Sequence, residues 1–229
     1  MTIKTHVASK ISSKHIEHIG EIRASKNEKF ILIAGNVSLD FINTEIIENG
    51  VLKELLSTYT NLARWAVASN LMDRSIADEI FAKLKGSKAS DELLAEAKNF
   101  RAILREMLDR LLHGEKAGET AIAAINAELS NLSTTTQIYQ TKNGYRRLTR
   151  INFREPSQLL ALVAESAVDL LCEGNLLYLK QCESEQCRLY FYDTTKNHRR
   201  RWCSVKSCGN RAKAAAFYER KKLIKCVPK

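Results

Sequence analysis

Four cysteines in two close pairs constrain this chain more than any other feature: four residues separate Cys182 from Cys187, four separate Cys203 from Cys208, and fifteen lie between the pairs. Two such pairs joined by a hairpin-sized insert can converge on one tetrahedral centre, with thiolates about 2.3 Å from a zinc ion. Soft sulfur ligands select zinc, and a shell of four leaves no open position for a substrate. The spacing therefore predicts one structural Zn2+ held by Cys182, Cys187, Cys203 and Cys208. A unit of under about fifty residues buries little core, so metal binding would supply much of its folding free energy. Cys172 reads as a small apolar residue on a helix, and Cys226 lies outside the paired pattern.

The surroundings of the chain decide how thiols behave. Met1–Lys10 is polar, and no apolar run approaches the roughly 18 residues of a membrane span. A cytoplasmic location without membrane contact is the expectation, and a reducing compartment favours metal binding over disulfides. Metal-bound thiolates can also be oxidised, which leaves a redox switch open.

Charge concentrates where the cysteines are. From Cys182 to Lys229 the chain has 13 Lys or Arg against 4 Asp or Glu, whereas residues 1–181 have 23 against 22. Nearly all of the net charge of +10 thus lies on the tail. The candidate contact residues are Arg199, Arg200, Arg201, Trp202, Lys206, Arg211, Lys213 and Arg220, with Lys221, Lys222 and Phe217 beside them. Clustered basic side chains neutralise phosphates and release counterions, which dominates non-specific affinity for nucleic acid. Duplex DNA is the leading partner; RNA and a protein-interaction adaptor are the alternatives. A single short helix reads few bases, so specific binding would call for a homodimer.

Upstream, two prolines and nine glycines in 229 residues indicate helices with short connections. Leu52, Leu55, Leu56, Tyr59, Leu62, Ala63 and Ala66 recur at helical spacing, with Trp65 at the edge of that face. Leu93, Ala97, Phe100, Leu104, Leu108 and Leu111 define a longer helix, capped by Ser90 or Asp91 and stopped by Gly114. Asp73–Lys85 and Glu119–Leu129 predict two shorter helices, and another runs from about Pro156 through Leu171. Phe30–Ile33 reads as a short strand, and Thr136–Phe153, with Asn143-Gly144 inside it, as a β-hairpin. In the tail, Leu189–Tyr192 and His198–Trp202 read as paired strands, and Cys208, with Ser207 as its cap, opens the final helix. The expected fold is mainly α: a flexible arm over residues 1–27, a helical domain with a short strand and a β-hairpin over 28–179, and a treble-clef-like zinc finger over 180–229.

The run Arg199-Arg200-Arg201-Trp202-Cys203-Ser204, followed by Cys208-Gly209-Asn210-Arg211-Ala212-Lys213, resembles the CGNR zinc finger. Leu39-Asp40-Phe41-Ile42-Asn43-Thr44 resembles the opening motif of the helical domain, called ABATE, that precedes that finger. The resemblance spans roughly residues 30–222. It implies zinc at the four cysteines, DNA as partner, and a regulatory role, stress-induced and transcriptional, for the helical part. Asp40, Asn43 and Thr44 offer a carboxylate, an amide and a hydroxyl within one helical turn, which suits a small-molecule effector. The plainer use of those groups is to cap the helix or tie Phe30–Ile33 to the core. Neither a Gly-rich phosphate loop nor paired metal-binding histidines occur, so no enzymatic activity is expected.

Overall fold

A computed structural model describes residues 30–142 and 144–225. The arm predicted over residues 1–27, and Cys226, lie outside them. The fold is mainly α, with small separate hairpins and a C-terminal treble-clef-like finger.

The chain enters α1 (Val37–Ile42) through Asn36, whose side chain accepts from the Leu39 amide and from Ser38 Oγ. Its Nδ2 donates to the Ser166 carbonyl at 3.0 Å, so one capping residue also fixes α1 against a later helix. Phe30–Ile33 forms no strand. Gly35, at φ +78°, turns the backbone straight into the capped helix, and Ala34 accepts a single bond from the Tyr192 amide instead of a ladder.

Next comes a hairpin that helical spacing conceals. β1 (Glu45–Glu48) and β2 (Val51–Glu54) pair antiparallel through Asn49 and Gly50, both at positive φ, as a two-residue type I′ turn requires. Leu52 therefore stands 56% exposed on a strand, and the helix expected to include it is shorter, α2 (Tyr59–Ala68). Thr58 caps α2 by accepting from the Asn61 amide. Trp65 is central rather than peripheral: it is fully buried, its ring 5.0 Å from Phe41.

α3 (Arg74–Ala82) leads to the 25-residue α4 (Lys88–Leu112). Its cap is Ser87, not Ser90 or Asp91; the Ser90 amide donates to Ser87 Oγ. Gly114, at φ +77°, ends the turn beyond α4. α5 spans Glu119–Leu129, and β3 (Thr134–Thr141) pairs antiparallel with β4 (Gly144–Ile151). α6 (Gln158–Cys172) is the central helix, with Leu159, Leu160, Ala161, Val163, Ala164 and Ala167 all fully buried. Apolar side chains cover most of its circumference and leave Glu165, Ser166 and Asp169 half-buried on one side, as suits a helix largely enclosed by others. Cys172, expected as a core residue, lies exposed at its end.

β5 (Leu179–Gln181) and β6 (Tyr190–Tyr192) form the last hairpin, followed by a π-helical turn (Val205–Gly209) and α7 (Asn210–Lys225). β6 pairs with β5; His198–Trp202 does not return as a strand. Leu189, Tyr190 and Phe191 belong to the same buried cluster as Leu39, Trp65, Leu104 and Leu160. The base of the finger thus sits in the main core.

Candidate metal centre

β5 delivers Cys182 at its end, and the tight turn that follows brings Cys187 back in front of β6. The Cys182 amide donates to the Leu189 carbonyl at 2.9 Å, and Cys187 closes the turn onto Ser184 at 2.9 Å. Two sulfurs are thereby mounted on a hairpin whose far strand is anchored in the core.

The other two arrive by a loop built around Asp193, which is completely buried. Its Oδ1 accepts from the Thr195 amide and hydroxyl, and its Oδ2 from Lys180 Nζ at 2.7 Å and the Arg200 amide at 2.8 Å. Burial alone would raise this carboxyl; the Lys180 ammonium and the Thr195 and Arg200 donors outweigh it and hold the group well below the usual carboxylate range. With its amide committed to Asp193, Arg200 has no backbone donor left to offer β6. His198 adopts φ +47° and stacks on Tyr178 at 3.6 Å between ring centroids.

Arg200 then crosses inward. It donates to the carbonyls of Trp202, Cys203 and Ile33, and its guanidinium lies 4.2 Å over the Phe191 ring. The loop ends with the Cys203 amide donating to Cys182 Sγ at 3.3 Å. The π-helical turn carries Cys208 inward and closes with Gly209 donating to Ser204 at 2.9 Å; the turn starts after Ser204, so Ser207 lies inside it and caps nothing.

All four Sγ atoms lie within 4.8 Å of one another, with Cys187 to Cys203 at 3.7 Å and Cys203 to Cys208 at 3.5 Å. Sulfurs bonded to one tetrahedral zinc are about 3.8 Å apart, so this donor set fits the ion. Cys187, Cys203 and Cys208 place their sulfurs close enough to share hydrogen bonds. Hydrogen bonds from Cys187 and Cys203 hold the Cys182 thiol far below its ordinary range, and the same bonds to Cys182 push both of theirs up. Zinc would be held by all four sulfurs as thiolates, and a closed four-sulfur shell would make the site structural. Arg211 donates to Cys208 Sγ at 2.9 Å, setting a cation against the sulfur cluster; ligand sulfurs are commonly steadied by such outer donors.

The basic residues singled out from sequence divide into kinds. Arg199, Lys206, Lys213 and Arg220 are exposed. Arg201 is exposed but paired with Glu183 at 2.6 Å and placed 5.0 Å over the half-buried Trp202 ring. Arg211 is exposed but engaged with Cys208, and Arg200 is tied to carbonyls. Side chains from Lys213 to Lys221 are exposed without interruption, Phe217 at 55% and Tyr218 at 69%.

Asp40, Asn43 and Thr44 lie in and just after α1, where Asn43 meets the finger at Tyr190. Asn43 is 1% exposed, and its amide donates to the Tyr190 carbonyl at 2.8 Å and accepts from the Tyr190 amide at 2.9 Å. Thr44 Oγ1 donates to Phe41 and accepts from Arg101 at 2.8 Å. Asp40 accepts from the Ala34 amide at 3.0 Å; burial pushes its carboxyl up to about 7 against the pull of the Ala34 and Ile33 amides.

Two arginines of α4 complete this joint. Arg101, 4% exposed, forms a bidentate pair with Glu54, and Arg105 donates to the Ile42 and Arg188 carbonyls while lying 5.2 Å over the Tyr190 ring. Tyr190 Oη donates to Asp109 at 2.6 Å. None of Asp193, Lys180, Arg101 or Arg105 was singled out from sequence. Asp193-Thr194-Thr195 carried a local turn signal; the arginines carried none.

A family model described as "Putative stress-induced transcription regulator", ABATE, matches residues 35–174, and one described as CGNR zinc finger matches 178–221. A comparison with curated proteins gives no match. Both matched families are regulatory rather than enzymatic. Among the described residues no helix is long and apolar enough to cross a membrane.

Proposed function

Since this chain belongs to the ABATE family and carries the CGNR zinc finger behind that domain, we propose that it is a DNA-binding transcription regulator whose finger contacts duplex DNA. The observation that carries this reading is α7. Over Asn210–Lys225 it has six basic residues and one acidic, and its described side chains are exposed all along from Lys213 to Lys221. A helix whose described side chains stand so open to solvent leaves that surface available to a partner. Its diameter of about 10–12 Å suits the roughly 12 Å major groove of B-form DNA, whereas the deep, narrow major groove of A-form RNA excludes it.

Zinc's role is to fix the start of α7 through Cys208 and so to aim the helix. The ABATE part is read as the regulatory unit, sensing an effector or dimerising in the cytoplasm, because Asn43 and Arg105 join its helices to the finger, at Tyr190 of β6 and at Arg188 just before it. Exposed Phe217 and Tyr218 would also stack on unpaired bases, which is the basis of an RNA-binding alternative.

Binding of the zinc-loaded protein to a labelled 30-base-pair duplex across a salt series tests the reading. Affinity should fall with salt, and Lys213→Gln/Arg220→Gln should lower the slope of log K against log salt by about 1.8, or 0.9 for each phosphate contact. No duplex binding at low salt, or tighter binding of single-stranded RNA at equal salt, would reject it.

A further inference from the structure

Residues 130–154 contain five basic side chains, Lys142, Arg146, Arg147, Arg150 and Arg154, and no acidic one. Most of this segment is the β3–β4 ribbon, a sheet of only two strands of eight residues each. At about 3.4 Å per residue it is an arm roughly 27 Å long. A two-stranded ribbon gains stability by laying one face on a core, yet every β3 side chain but the last is exposed. Ile138 is 74% exposed, Tyr145 73% and Tyr139 40%.

The register shows what the two faces offer. Ile138 pairs with Arg147, Tyr139 with Arg146 and Gln140 with Tyr145. Because side chains alternate across the pleat, Arg147, Tyr145 and Ile138 share one face, and Arg146 and Tyr139 share the other. The Arg146 and Arg147 side chains are exposed and make no ion pair or hydrogen bond among the described residues. Each face thus presents a free guanidinium beside an aromatic ring.

We propose that the β3–β4 ribbon is a second nucleic-acid contact, in which Arg146 and Arg147 take phosphates of the duplex that α7 enters. Charge complementarity selects this occupant. A segment of five cations without an anion fits a regular polyanion and repels a second copy of itself. Geometry agrees, since strands about 4.8 Å apart make a ribbon narrow enough for the major groove, which admits two-stranded β-ribbons as well as helices. The assignment rests on the reading that the chain binds duplex DNA, and adds a site remote in sequence from the finger.

The zinc-loaded full chain with the same labelled 30-base-pair duplex separates the two ideas. Arg146→Gln/Arg147→Gln should lower the salt slope by about 1.8, and Arg146→Lys/Arg147→Lys should keep the wild-type slope. Arg74→Gln/Lys85→Gln, which removes two exposed charges from α3 and the turn after it, should alter the slope by less than half as much. Metal content and Tm of each variant verify the fold. If Lys213→Gln/Arg220→Gln weakens binding while the ribbon variant keeps the wild-type slope and affinity, the ribbon assignment is wrong and the finger reading stands. If the α3 variant loses as much as the ribbon variant, the effect is bulk charge and the assignment is likewise wrong. A ribbon variant that alters oligomeric state but not the slope makes the ribbon a protein interface. Absence of duplex binding by the unmodified chain removes both readings.

Discussion

Asn43 does for Tyr190 what a neighbouring strand would do, donating to its carbonyl and accepting from its amide inside the core. Asn43→Ala leaves both groups buried without that partner, and at about 1–3 kcal/mol for each unmade bond it should cost about 2–6 kcal/mol in urea denaturation. Asp193 has the corresponding role in the finger. Asp193→Ala removes an acceptor of four hydrogen bonds beside the Lys180 ammonium and should cost about 3 kcal/mol, near the lower end for broken buried pairs because Lys180 is partly solvated. The carboxylates of Asp40 and Asp193 respond to pH in opposite senses. Burial raises Asp40 from 3.8 to about 7, so between those values the folded chain binds more protons than the unfolded one, and this contribution to stability falls as pH rises. Glu128, raised by burial and by Glu96 to about 7, acts in the same direction. Asp193 is depressed, so its contribution is present above its ordinary 3.8 and is lost as pH falls through the lower folded value. Thermal melts from pH 4 to 8 should show Asp40→Asn gaining on the wild type as pH rises; a constant gap would dismiss the Asp40 account.

Among the elements, the metal centre joins sulfurs from two kinds of support: Cys182 and Cys187 sit beside core-seated β6, whereas Cys203 and Cys208 come from a loop and a helical turn. Cys208→Ser should therefore release zinc and lower the helical signal of α7 in circular dichroism, with β6 retained. Arg211→Ala, which removes the donor to Cys208, should leave one zinc per chain but speed its loss to a chelator by about 10-fold, the lower bound for outer-shell partners. How far sequence reached follows the range of each signal. The cysteine pairs and Glu119–Leu129 were legible because spacing and periodicity are local. Asn49-Gly50 was equally local, yet Leu52, Leu55 and Leu56 continue the helical period of α2 and mask it. The strand expected at His198–Trp202 fails because buried Asp193 claims the Arg200 amide, a contact that periodicity does not register. Asn43 and Tyr190 are 147 positions apart, beyond what spacing in one sequence can join.

At the scale of the whole molecule, charge and core are distributed differently. The excess positive charge belongs to the tail and the ribbon, while Leu189, Tyr190 and Phe191 of the finger share one apolar cluster with the helices. Chelation of zinc should therefore lower the Tm of the entire chain in calorimetry rather than melt a separate tail; an unchanged main transition would show the two parts to be energetically independent. The clasp between Asn43 and Tyr190 also bears on where a gene for this protein can be cut. A fragment ending near residue 175 would lose the strand that Asn43 grips and open the apolar surface beneath it, and one starting there would bare the inward face of that strand to water. Neither product is expected to stay in solution by itself, and supplying both pieces together is the arrangement in which each would hide what the other leaves open.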